Sequence, residues 1–131
     1  PTLNLDMAPT FLDYAGISIP EEMQGTSMRI LLDEERDKSN WRSDVYYHYY
    51  EKSFGATAHY GIKTDRFKLI HFYDPIDSWE LYDLKTDPNE MNNVYGNPEY
   101  STILKDLEGR LVKLQKEYDD HEGLALNNLK N

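Results

Sequence analysis

The chain has 131 residues, 39% hydrophobic and 29% charged, with a formal net charge of -10 and a mean hydropathy of -0.79. That is the length of one ordinary domain with a single core, too short for a large two-domain enzyme, and 11 Tyr argue against disorder throughout. The negative field disfavours nucleic acid and anionic membrane as partners, zero Cys excludes a disulfide framework, a thiolate zinc site and a cysteine nucleophile, and no apolar run approaches the roughly 20 residues of a membrane span.

Pro1 is followed almost at once by patterned sequence, with neither initiator Met nor flexible leader, so the chain is expected to be cut from something longer. "LDMAPTFLDYAGI" predicts a short helix: Asp6 as its cap, Pro9 in the first turn, and Gly16 as the left-handed stop. Met7, Phe11, Leu12 and Ala15 fall on one side of it. "SIPEEMQG" reads as a loop, Ser27 to Leu32 as a brief helical piece, and "DEERDKSN" from Asp33 to Asn40 as a solvated connector.

The aromatic and β-branched content of "SDVYYHYYEK" favours a strand. "AHYGIKT" and "RFKLIHFY" then flank Thr64 and Asp65 as a tight hairpin. Alternation puts Tyr60, Ile62, Phe67 and Leu69 on one face, and His59, Gly61, Lys63, Lys68, Ile70 and Phe72 on the other. Neither face is purely polar, so both need cover. "WELYDL" supplies a fourth strand, and "DPNE" reads as a turn around Pro88 rather than a calcium loop, with Asn92 and Asn93 tying down the backbone after it.

Asn97-Pro98-Glu99 has the form of a helix start. Tyr100, Ile103, Leu104, Leu107, Leu111, Leu114 and Tyr118 then recur at three and four, an apolar stripe able to cover one face of the sheet. Gly109 inside it suggests close packing, and from Asp119 the pattern decays into a loosely docked tail. With one long helix for two oily faces, a partner surface is expected to be missing.

The four His, at 48, 59, 71 and 121, form no i, i+4 pair, which argues against zinc. His59 shares its face with Lys63 and Lys68, a local basic patch suited to an anionic or polyhydroxylated ligand; the bland alternative is a solvated hairpin face or a His bonded within an interface. Tyr46, Tyr47, Tyr49 and Tyr50 offer a sugar-stacking platform, but about half of such a run must point into the core. No Ser-His-Asp order, phosphate loop or paired acid in a pocket stands out, so no catalytic residue is assigned.

Taken together, "LDMAPTFLDYAGISIPEEMQGTSM", "YYHYYEK", "HYGIKTDRFKLIHFY" and "WELYDLKTDPNEMNNVYGNPEY" resemble, in order, the C-terminal segment of the formylglycine-dependent sulfatases, of the alkaline-phosphatase-like superfamily. The resemblance implies a parent enzyme, periplasmic or secreted, with an N-terminal catalytic domain carrying calcium and a formylglycine, acting on a sulfated carbohydrate or other sulfate ester. Neither cofactor is assigned to this chain: Ser18-Ile19-Pro20 imitates the modification motif but reaches Glu22 where the motif demands Arg. By position, His59 is carried over as a sugar contact, with His48 and Lys63 as further substrate-binding candidates. "SFGATA" replaces a longer aromatic and His-containing segment of related sequences, a departure that bears on substrate identity.

The expected fold is α+β, a four-stranded mainly antiparallel sheet packed on a long C-terminal helix, with a short N-terminal helix. Residues 1–40 are expected to link to the catalytic core and residues 41–131 to form the C-terminal subdomain. It is expected to be inactive alone. The alternatives are a free-standing carbohydrate-binding module using Tyr49 and His59, or a structural interaction domain.

Overall fold

A computed structural model of the chain describes residues 1–35, 37–51 and 55–128. They divide into two compact units, residues 1–43 and 44–131.

In the first unit a 3-10 turn, Asn4–Asp6, runs into α1, Met7–Tyr14, and a single-turn α2, Arg29–Leu32, follows a long loop. Gly16 ends α1 with φ of +70°, the left-handed stop read from the sequence. Asp6 has a different job from the expected cap. Its side chain makes no capping bond to α1; instead it accepts from the Leu3 amide (2.8 Å), the Thr26 amide (2.9 Å) and both terminal nitrogens of Arg42 (2.8 and 2.6 Å). A buried carboxylate shared among three segments is therefore the organising centre of this unit. Trp41 donates its indole N–H to the Pro1 carbonyl at 2.8 Å, so Trp41 and Arg42 both bond within residues 1–43.

In the second unit β1, Val45–Tyr49, β2, Ala58–Lys63, β3, Phe67–Asp74, and β4, Ser78–Asp83, form an antiparallel meander in the order β1-β2-β3-β4. The register sets Ile62 opposite Leu69 and Leu69 opposite Leu81, which puts the apolar residues of three strands on one face. α3, Ser101–Glu117, covers that face. Its entry is a 3-10 turn, Pro98–Tyr100, capped by the Asn97 side chain, which accepts from the Glu99 amide at 3.1 Å. Leu107 and Leu111 of α3 meet Tyr60, Ile62, Leu69 and Leu81, all at most 1% exposed, to make the core.

Three expectations change. The described residues after Asp119 are not a loose tail: they form α4, His121–Asn128, anchored by Asp120 at its start and by Asn127, which accepts from the Tyr60 hydroxyl at 2.9 Å; residues 129–131 of the expected tail lie outside the described residues. Gly109 is not a point of close approach, since a Cβ there meets nothing within 4 Å. Gly109→Ala should therefore stabilise the unit by about 1 kcal/mol, read as a higher urea midpoint; a lower midpoint would show an unseen contact.

The second face of the sheet is also less bare than expected. Ile70 and Tyr82 on it are only 6% and 8% exposed. The Tyr47 ring lies over Gly61, so close that a Cβ on Gly61 would sit 2.8 Å from Tyr47 Cζ and 2.4 Å from the Leu69 carbonyl oxygen. Exposed apolar surface concentrates elsewhere: eight of the twelve large hydrophobic side chains exposed among the described residues lie in residues 1–43, among them Met7 at 55% and Phe11 at 71%.

Candidate functional site

His59 starts the regular pairing of β2, immediately after an irregularity in register between Ala58 and His59. Its Nδ1 lies 2.7 Å from the Thr57 carbonyl oxygen. A carbonyl only accepts, so Nδ1 carries a proton, and in the neutral ring the lone pair is at Nε2. The ring is held between Tyr49 (centroids 5.6 Å apart, 26°), Tyr47 (5.9 Å, 69°) and Phe72 (5.3 Å, 41°). Among the described residues Nε2 has no hydrogen-bond partner, which leaves a fixed acceptor at the mouth of the β1–β2 connection. The "SFGATA" departure begins in that connection, and its residues 53 and 54 lie outside the described residues.

Lys63 shares this face but stands at the far end of β2, four residues from His59, about 13 Å along a strand. One sugar ring cannot touch both. Lys68, opposite Lys63 in the register, donates to Glu90 at 2.6 Å. The basic patch read from the sequence is thus partly neutralised, and His59 stands apart from it within an aromatic cage. The Tyr47 hydroxyl beside it is buried without a partner among the described residues, and burial first, then Glu90 and Glu80, pushes its pKa well up.

His48 lies on the other face, under α4. Its side chain is 3% exposed, with Nδ1 2.6 Å from Asp120 Oδ2 and Nε2 2.9 Å from the Tyr73 hydroxyl. The Tyr46 hydroxyl and the Gly123 amide also donate to Asp120. Burial opposes ionisation of this carboxyl, but the Gly123 amide, Tyr46 and His48 together outweigh it and hold the pKa below the usual range. So the structure does not bring His48, His59 and Lys63 together. It gives His48 a network that the sequence reading missed, visible only as a lone Asp120 before a weakly patterned helix.

The "WELYDLKTDPNEMNN" block is held by side chains that imitate backbone. The Asn93 carboxamide accepts from the Leu81 amide at 2.9 Å and donates to the Trp79 carbonyl at 3.1 Å, satisfying the outer edge of β4. Asp87 accepts from the Asn92 amide at 2.8 Å, and Asp83 is clamped by Arg66 at 2.9 and 2.8 Å. These acids serve turns and clamps. Among the described residues no group of three or more His, Asp or Glu is placed to hold a metal, so these side chains do not fit the calcium of the sulfatase resemblance, and without Cys they offer no formylglycine precursor of that type.

Residues 2–117 match the family described as N-sulphoglucosamine sulphohydrolase, C-terminal. Over 124 residues the chain is 48% identical to an N-acetylglucosamine-6-O-sulfatase of Bacteroides thetaiotaomicron, covering 92% of this chain and 22% of that protein. It is 34% identical over 113 residues to an arylsulfatase of Clostridium perfringens, covering 80% of this chain and 22% of that protein. Among solved structures, one bound to its substrate D-glucosamine-2-N,6-O-disulfate superposes with a TM-score of 0.83 at 48% identity, over 90% of this chain and 24% of that one. A 2-O glycosaminoglycan sulfatase superposes at 0.76 with 29% identity, over 88% of this chain and 25% of that one. The chain therefore spans about a quarter of the length of these relatives.

Proposed function

The chain belongs to the N-sulphoglucosamine sulphohydrolase C-terminal family, and on that premise we propose that it completes a sulfatase whose reactive centre sits in a separate N-terminal catalytic domain. The observation that carries this reading is the match itself, which takes in 92% of the chain but 22% of a sulfatase. The apolar side chains exposed on residues 1–43, Leu5, Met7, Phe11 and Met23 among them, supply a surface for that catalytic domain. On this reading residues 1–43 link to the core and residues 44–131 reach toward its pocket.

The proposed substrate class is carbohydrate sulfate esters, following the amino-sugar sulfates named for the relatives. His59 is the proposed sugar contact: its Nε2 lone pair accepts from a ring hydroxyl while Thr57 fixes the imidazole. The formylglycine and calcium of such an enzyme would supply the nucleophile and the charge stabilisation in the catalytic domain. The purified chain should show no turnover of a chromogenic aryl sulfate. Measurable turnover that co-purifies with the chain would refute the division of labour.

A further inference from the structure

His59 and Gly61 follow one another on the same face of β2. In the register Tyr49 and Phe72 stand opposite His59, while Tyr47 and Ile70 stand opposite Gly61. Tyr49 and Phe72 therefore flank the imidazole from the two neighbouring strands, but along its own strand Gly61 offers it no side chain. The Tyr47 ring fills that place. A Cβ on Gly61 would sit 2.6 Å from the Tyr47 hydroxyl oxygen and 2.8 Å from its Cζ, so the ring occupies the volume that a side chain at position 61 would take. From there it meets the imidazole edge to face, with centroids 5.9 Å apart and 69° between the planes. Any side chain at position 61 would turn the Tyr47 ring away, and His59 would lose its third wall.

The hydroxyl is not what holds this ring in place. It is buried without a partner among the described residues, an unfavourable state that no hydrogen bond offsets. Tyr47 is therefore placed for its ring. The imidazole makes one hydrogen bond, from Nδ1 to the Thr57 carbonyl oxygen at 2.7 Å, and one such bond does not by itself fix the plane of the ring. The three aromatic rings around it remove that freedom and keep Nε2 aimed in one direction. We infer that Tyr47, laid over Gly61, is a positioning residue for His59: it holds the imidazole where Nε2 accepts from substrate, and offers the substrate no group of its own. The inference rests on the sugar contact proposed for His59, and it turns Tyr47 from part of a stacking platform into a support for the imidazole.

Imidazole nitrogen correlation spectra of the full chain, recorded on the neutral ring, read the tautomer of His59 directly. The parent and Tyr47→Phe, which keeps the ring and drops the unpaired hydroxyl, should both show the proton on Nδ1. Tyr47→Val suits a strand but leaves the place beside His59 empty, and it should show the mixed tautomers of a mobile imidazole, with the Ile62, Leu69 and Leu81 amides still protected from exchange. The kinetic readout uses the N-acetylglucosamine-6-O-sulfatase of Bacteroides thetaiotaomicron carrying residues 1–131 in place of its aligned segment. There Tyr47→Val should raise KM for N-acetylglucosamine 6-sulfate about three- to tenfold, the worth of one hydrogen bond, with kcat little changed. Tyr47→Phe should restore the parent KM, and Tyr47→Val added to His59→Ala should change nothing further. An unaltered His59 tautomer in Tyr47→Val overturns the inference, and so does an effect of Tyr47→Val on KM that persists in the His59→Ala background. A KM indifferent to His59→Ala refutes the sugar contact instead, and the tautomer spectra still decide whether Tyr47 positions the ring.

Discussion

Asp6→Ala should destabilise the first unit by about 3–5 kcal/mol, the usual cost of removing one partner from a buried ion pair. The side chain of Asp6 is 0% exposed and that of Arg42 17%, so the guanidinium is left with little water to replace the lost carboxylate. The Leu3 and Thr26 amides lose their acceptor in the same step. Loss of exchange protection at those amides, with the sheet amides unaffected, is the expected signature. A change under about 1 kcal/mol would mean that the pair is a surface bridge in solution. The same carboxylate sets an acid limit. Burial raises its pKa, but the Arg42 bond and the Thr26 and Leu3 amides outweigh that and leave it below the ordinary 3.8. A folded-state pKa below the unfolded one stabilises fully above the unfolded value and is lost as pH falls through the folded one. The first unit should thus be insensitive to this group above about pH 5 and weaken below the ordinary carboxylate value.

Asp120→Ala should release α4. The substitution strands three donors, the Tyr46 hydroxyl, His48 Nδ1 and the Gly123 amide. Unsatisfied buried groups cost about 1–3 kcal/mol each, more than a short helix with little apolar contact gains by docking. Undocking lets all three reach water, and that caps the loss at about 3 kcal/mol. Residues 121–128 should lose exchange protection while Ile62, Leu69 and Leu81 keep theirs. Full protection of α4 in the Asp120→Ala chain would place its anchor elsewhere, in the Asn127 bonds to Tyr60 and Gln115.

The elements that could be read from the sequence are those whose signal is local. The two faces of the hairpin follow from alternation on either side of its turn, although the register pairs Lys63 with Lys68 around Asp65-Arg66 rather than turning at Thr64-Asp65, and the long helix follows from spacing at three and four after an Asn-Pro-Glu start. Asn93 was legible as a backbone tie because Asx side chains after a turn commonly serve that end. What escaped depends on partners far along the chain. Asp6 looks like a cap in its own window and becomes a clamp only through Arg42, 36 residues away. α4 has almost no apolar periodicity, and its anchor joins His48 to Asp120 across 72 positions.

Gly123 shows the same limit from the other side. A Gly within a helix reads as a weak point, but here a Cβ would come within 2.5 Å of Gln115 and 2.7 Å of Asp120. The candidate site was half legible. Strand alternation correctly separated the face of His59 from that of Tyr60, but no local pattern revealed that Glu90 takes Lys68 or that the Tyr47 ring fills the place beside His59.

The division of labour between this chain and a catalytic domain can be tested by exchange. In the N-acetylglucosamine-6-O-sulfatase of Bacteroides thetaiotaomicron, the segment that aligns with this chain would be replaced by residues 1–131, and hydrolysis of N-acetylglucosamine 6-sulfate followed. The chimera should fold and turn over its substrate, and His59→Ala in it should raise KM more than it lowers kcat, as loss of a ground-state sugar contact does. A well-folded chimera without turnover, or one indifferent to His59→Ala, contradicts the role assigned to these residues.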